Sequence, residues 1–210
     1  MKRETERKPQ EQEILLNKVM QIITSNSSYN EKSETLNQLK HEFNEQSWEY
    51  VGDQIPNWLE KQNSELTENV FDIITIRDFR VKIYHFAGEN ALPKKLLNQF
   101  YLANVYSDQS GLERKFMLYR ELVEVSLPLV KARSGNDVMH YIYTRSLNRL
   151  ADLTQYWCYE EVAEELWLNL AEYALESEEQ EKLATLEIIA HNAPWFVEKK
   201  PELFTALQSE

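Results

Sequence analysis

The sequence predicts an all-α protein, a stack of antiparallel helical hairpins with about ten helices, and three observations predict it. Four glycines and six prolines in 210 residues supply too few turns for a many-stranded sandwich, barrel or doubly wound sheet. Long stretches rich in Leu, Glu, Gln, Lys and Ala place apolar residues at helical spacing from end to end. Polar clusters interrupt these stretches briefly, and such short connections make sequential helices antiparallel neighbours. So many helices exceed a single four-helix bundle, which leaves a right-handed solenoid of hairpins.

In chain order, residues 1–10 (MKRETERKPQ) are polar, carry a proline, and are expected to form a disordered N-terminal tail. Segment 11–62 reads as small helices packing on a main body. Ile14, Leu15, Val19, Ile22 and Ile23 give a first amphipathic helix over 13–23, broken by Ser25-Asn26-Ser27-Ser28. Leu36, Leu39 and Phe43 mark a second over 30–44. Trp48, Tyr50, Ile55, Trp58 and Leu59 crowd around Gly52 and Pro56. That pattern predicts a short helix or turn plugging the core, then a small helix starting near Pro56.

The main body, 63–210, opens with Ser64 capping a long helix that carries Phe79, Ile83, Tyr84 and Phe86. The β-branched run 70–76 inside it favours strand by propensity, but a lone strand has nothing to pair with, so the prediction is helix. Ala87-Gly88-Glu89-Asn90 is a break, and Pro93 suits the first turn of a helix over 92–107. Ser110 and Glu113 have capping-box spacing and open a helix to about Lys131, bent near its end by Pro128. Ser134-Gly135-Asn136-Asp137 precedes a helix to about Tyr156, followed by another over 159–176. Ser177 with Gln180 is a second capping box, starting a helix that Asn192-Ala193-Pro194 ends. Trp195-Phe196 reads as a lid on the last hairpin, and a short capping helix spans 200–207.

Charge and composition narrow the function. A net charge of −12, from 35 acidic and 23 basic side chains, repels phosphate backbones and argues against direct nucleic-acid binding. The single cysteine, Cys158, excludes an internal disulfide, suits a reducing compartment, and reads as a small buried apolar residue. The first residues lack the apolar centre of a secretory signal, and no apolar run approaches the ~20 residues that span a bilayer. A cytoplasmic protein that does not enter membranes is expected.

Leu147, Leu150 and Ala151 on one helix, with Ala163, Trp167 and Leu170 on the next, alternate small and large packing positions. On these residues the segment Thr144–Leu175 resembles a tetratricopeptide repeat, a 34-residue helix-turn-helix unit. Thr154 stands where the repeat usually has an aromatic, and Leu175 where a closing proline is common. A weaker copy covers 96–129, with Leu102, Ala103 and Tyr106, although Lys115 occupies a small-residue position. The resemblance implies ligand contacts on the inner face of each first helix. In the better copy these positions are Arg145, Asn148, Asp152 and Gln155, a polar stripe that Tyr141, Tyr101 and Asn104 can extend.

From Ala151 to Glu181 there is no Lys or Arg, while acidic side chains accumulate. Glu160, Glu161, Glu164 and Glu165 therefore form a candidate face for a basic partner, weighed against a plain solvated helix surface. The basic cluster Arg77-Asp78-Phe79-Arg80-Val81-Lys82 is expected to pair with the chain's own acid excess. No Glu-x-x-His motif occurs; Asp137 with His140 and Glu187 with His191 have one-turn spacing but no matching second motif, so no metal site is expected. The four glycines are too scattered to cradle a phosphate, and no catalytic residue or cofactor is indicated. These features predict a non-enzymatic interaction module, an adaptor or regulator, that binds a partner protein segment on the inner face of the stack. The alternative is an acidic regulator that blocks a basic nucleic-acid-binding protein through residues 152–181. An exposed apolar edge on the N-terminal helices would favour a homodimer.

Overall fold

In a computed structural model, residues 2–61, 70–106, 111–131, 137–157 and 159–208 are described; they form ten α-helices and no strand. The chain divides into two units, Met1–Ser110 and Gly111–Glu210. The sequence expects a division near residue 62. The structure instead keeps the following helix with the N-terminal ones, because they share one core.

In the first unit, α1 is Lys2–Thr24, α2 is Tyr29–Leu39, α3 is Glu45–Lys61, α4 is Val70–Phe86 and α5 is Leu92–Val105. Helix α1 runs through the segment expected to be a tail. Leu15, Val19 and Met20 from α1 are buried with Trp48, Val51 and Ile55 from α3 and with Phe79, Ile83 and Phe86 from α4. Helix α3 thus lies between α1 and α4, and α5 packs on the other side of α4. Helix α2 starts at a capping box: the Ser28 hydroxyl accepts from the Glu31 amide while the Glu31 carboxylate accepts from the Ser28 amide. Glu31's carboxyl consequently titrates below its usual range, chiefly through the Ser28 backbone amide.

Helix α3 departs most from expectation, since it is continuous through Gly52 and Pro56. Proline lacks the N–H that would bond the carbonyl four residues back. Here that carbonyl belongs to Gly52, and Arg80 of α4 donates its Nε to it at 3.2 Å. Gly52 is glycine for a second reason: a Cβ there would stand 2.6 Å from the buried Tyr84 ring. Tyr84 is itself held by hydrogen bonds from Arg80 and to Asp53. Packing of α4 on α3 and on α5 also explains why Ile73, Ile74, Thr75 and Ile76 remain helical against their propensity. After α4, Gly88 adopts φ 77, where a side chain would be strained and would meet the Glu45 carboxylate. A 3-10 turn, Glu89–Ala91, leads into α5, with Pro93 in its first turn as expected.

The second unit contains α6 (Leu112–Lys131), α7 (Asp137–Tyr156), α8 (Glu160–Glu176), α9 (Glu179–Asn192) and α10 (Pro194–Lys199), then a 3-10 segment, Pro201–Gln208. Each of α6 to α9 packs on its successor, so this unit is a stack of sequential neighbours. Leu147, Leu150, Ala151, Ala163, Trp167 and Leu170 are all buried. Ser177 does not cap α9; its hydroxyl donates to the Tyr173 carbonyl and closes α8 instead. Phe196 is fully buried against Phe204, so the expected lid forms. The expected roles of Ser64, Ser110, Ser134 and Cys158 fall outside the described residues.

Candidate functional site

The second unit carries a cleft of about 1020 Å³ lined by α6, α7, α8 and α9. Leu127, Leu147, Leu166, Leu170 and Ile188 give it an aliphatic surface, and polar side chains from α7, α8 and α9 complete the lining. Five carboxylates, Asp137, Glu172, Glu176, Glu178 and Glu181, face two cations, Lys131 and Arg145.

Across this cleft a chain of polar groups links three helices. His140 Nδ1 of α7 is in hydrogen-bond contact with the Tyr173 hydroxyl of α8, which donates to Glu181 of α9 at 3.4 Å. Tyr143 meets the Tyr173 ring edge-on, with centroids 5.1 Å apart. Burial pushes the Tyr173 hydroxyl up to about 12, with the Glu181 charge adding to it. Burial alone pushes Tyr143 to about 12. Both phenols therefore stay protonated at neutral pH and remain hydrogen-bond donors.

The predicted polar stripe on α7 divides between two roles. Arg145 lines the cleft, is exposed, and lays its guanidinium 5.8 Å from the Tyr141 ring centroid. Tyr141 also lines the cleft and is exposed. Asn148 lines it too but is buried, and its Oδ1 accepts from Asn192 Nδ2 at 3.0 Å. Gln155 lies outside the lining: its Oε1 accepts from the indoles of Trp167 at 3.3 Å and Trp195 at 3.0 Å. It fastens the lid rather than facing a ligand. Asp152 is half-buried and also lies outside the lining. The C-terminal half of the stripe meets the end of α9 and α10, which helical spacing alone does not disclose.

Tyr101 and Asn104 belong to α5 in the first unit. Arg77 stacks on the Tyr101 ring at 5.1 Å, and Asn104 Nδ2 donates to the Phe100 carbonyl at 3.0 Å. Arg77 is depressed below its ordinary range by burial and by neighbouring Arg80. The basic cluster on α4 is engaged differently from expectation: Arg80 bonds a carbonyl and a phenol, and Lys82 bonds Ser33. Carbonyl oxygens and rings, more than carboxylates, hold these cations.

On α8, Glu161, Glu165, Glu172 and Glu176 recur at spacings of four, seven and four, so they form one stripe, and all are exposed. Glu160 is also exposed, whereas Glu164 is half-buried and ion-paired with Lys199. Among the described residues no group of three His, Cys, Asp or Glu side chains is placed to hold a metal ion, and no described helix is long and apolar enough to cross a membrane. The sequence reading missed Tyr143, Tyr173, Glu181 and Thr185 as cleft residues. They come from three helices, and no local motif joins them. No protein-family model, curated protein or solved structure matches the chain.

Proposed function

We propose that this protein is a non-enzymatic interaction module whose second unit holds a segment of a partner protein in the cleft between α6 and α9. The observation that carries the reading is the lining, an aliphatic surface beside exposed Arg145 and Tyr141, drawn from four sequential helices. At about 1020 Å³ the cleft sits at the upper limit of ordinary small-molecule sites and suits an extended chain segment. The tetratricopeptide-like helix pair formed by α7 and α8 supports the same reading. The His140–Tyr173–Glu181 chain is the nearest approach to catalytic convergence. Its phenol is committed to both neighbours and held protonated, which suits a fixed donor better than a nucleophile or base.

The test is affinity purification of the tagged full chain at low and high salt, with Arg145→Glu beside the wild type. A stoichiometric partner that survives high salt and is lost from Arg145→Glu supports the cleft. Failure to retain any partner in either buffer refutes the module.

A second reading, a regulator that blocks a basic nucleic-acid-binding protein, rests on the exposed α8 stripe. Charge reversal at Glu161 and Glu165 tests it cleanly, because Glu164 is already occupied by Lys199. A basic partner lost from that variant and at high salt, but kept by Arg145→Glu, favours this reading.

A further inference from the structure

Three polar side chains in the cleft are largely buried and leave hydrogen-bonding groups turned to the cleft. Tyr143, Asn148 and Thr185 are exposed by 3%, 6% and 6% of their surfaces, and all three line the cleft. Among the described residues the Tyr143 and Thr185 hydroxyls have no hydrogen-bond partner. Asn148 uses its Oδ1 on Asn192, and among the described residues its Nδ2 has no protein acceptor. None of these atoms is sealed from the cleft, so solvent reaches them and a ligand's acceptors would take the place of water. These three supply donors at the base of an open cleft, from α7 and α9, where a ligand's acceptors would meet them.

The carboxylates give the same site a polarity. Tyr173 and Glu176 lie in the last turns of α8, and Glu178 and Glu181 at the start of α9, with only Ser177 separating Glu176 from Glu178. The Tyr173–Glu181 hydrogen bond ties the two turns together. Glu178 and Glu181 suit the positive end of the α9 dipole. Glu176 does not share that excuse: it sits at the negative end of α8, whose last turn contains no basic residue. Two cations line the cleft against five carboxylates: Arg145 of α7 lies eight residues from Asp137, roughly 12 Å along the helix, and Lys131 ends α6. A cation entering at the Glu176 end would relieve this accumulation of negative charge.

We infer that the occupant is an extended basic peptide segment: one arginine or lysine side chain sits at the Glu176/Glu178/Glu181 end, and backbone carbonyls accept hydrogen bonds from Tyr143, Asn148 and Thr185. This rests on the cleft being the partner site and specifies what that partner presents.

The test uses the full-length protein and pools of capped nonapeptides of otherwise random, neutral composition, with Arg, Lys, Ala or Glu fixed at the centre. Binding is read by fluorescence anisotropy at low salt. The Arg and Lys pools should bind at least roughly tenfold more tightly than the Ala pool, and the Glu pool should not bind, as one charge-assisted contact dictates. The triple variant Glu176→Gln, Glu178→Gln, Glu181→Gln should bring the Arg pool down to the Ala level. Tyr143→Phe should weaken the Arg and Ala pools by a similar factor, since it removes a donor to backbone. Circular dichroism checks that each variant is folded. Equal binding of all pools, or tighter binding of the Glu pool, overturns the inference and leaves the cleft a peptide site. Absence of binding by every pool overturns both.

Discussion

Replacing Gln155 by methionine removes one acceptor oxygen while keeping side-chain length. In the native protein that oxygen receives two indole N–H groups, from Trp167 and Trp195. Trp167 is completely buried, so its stranded donor should cost about 1–3 kcal/mol. Trp195 is half-buried and can turn to water, which limits its loss to about 0.5–1 kcal/mol. The sum is about 1.5–4 kcal/mol, and with a urea slope of about 2 kcal/mol/M the unfolding midpoint should fall by roughly 1–2 M. Tryptophan fluorescence is the natural readout, because it reports on the affected indoles themselves. Trp195→Phe removes one donor, so Gln155→Met should cost about 1 kcal/mol less in that background. A neutral Gln155→Met, or one whose cost is unchanged by Trp195→Phe, would refute the assignment of Gln155 as the fastener of the lid.

Other outcomes follow from the same contacts. Gly52→Ala gains about 1 kcal/mol of helix propensity but drives a Cβ into the Tyr84 ring, so a net loss of about 1–2 kcal/mol is expected in urea unfolding. A stabilised variant would show that the ring yields freely. Arg80→Met should destabilise by about 1–2 kcal/mol by orphaning the Gly52 carbonyl, and Pro56→Ala should restore part of that loss by returning the missing N–H. No rescue in that double variant would separate Arg80 from the proline. The Tyr143 phenol is raised from an ordinary value of 10 to about 12 in the folded state, so its linked stability is intact below pH 10 and lost as pH rises through 12. That contribution is about 2–3 kcal/mol, and phenolate absorbance against pH, with Tyr143→Phe as control, measures it.

The helical class and most helix limits follow from local chemistry that the sequence displays. Pro93 can start a helix, Gly88 can take a positive φ, and Ala87-Gly88-Glu89-Asn90 therefore separates α4 from α5 whatever surrounds it. Leu147, Ala151, Ala163 and Trp167 are buried because their 3.6-residue spacing leaves them one common face. The continuity of α3 has a different origin: its proline is tolerated because the Arg80 guanidinium, 28 residues beyond Gly52, satisfies the Gly52 carbonyl that the proline leaves vacant. Gln155 and Asn148 look as available as Arg145 on a helical wheel, yet α9 and α10 return to engage both. Cleft residues such as Tyr143, Tyr173 and Thr185 share no motif either, since side chains from separate helices meet only after packing. A turn or cap is decided by interactions within a few residues, whereas a shared site is decided by which surfaces remain uncovered once every helix has docked.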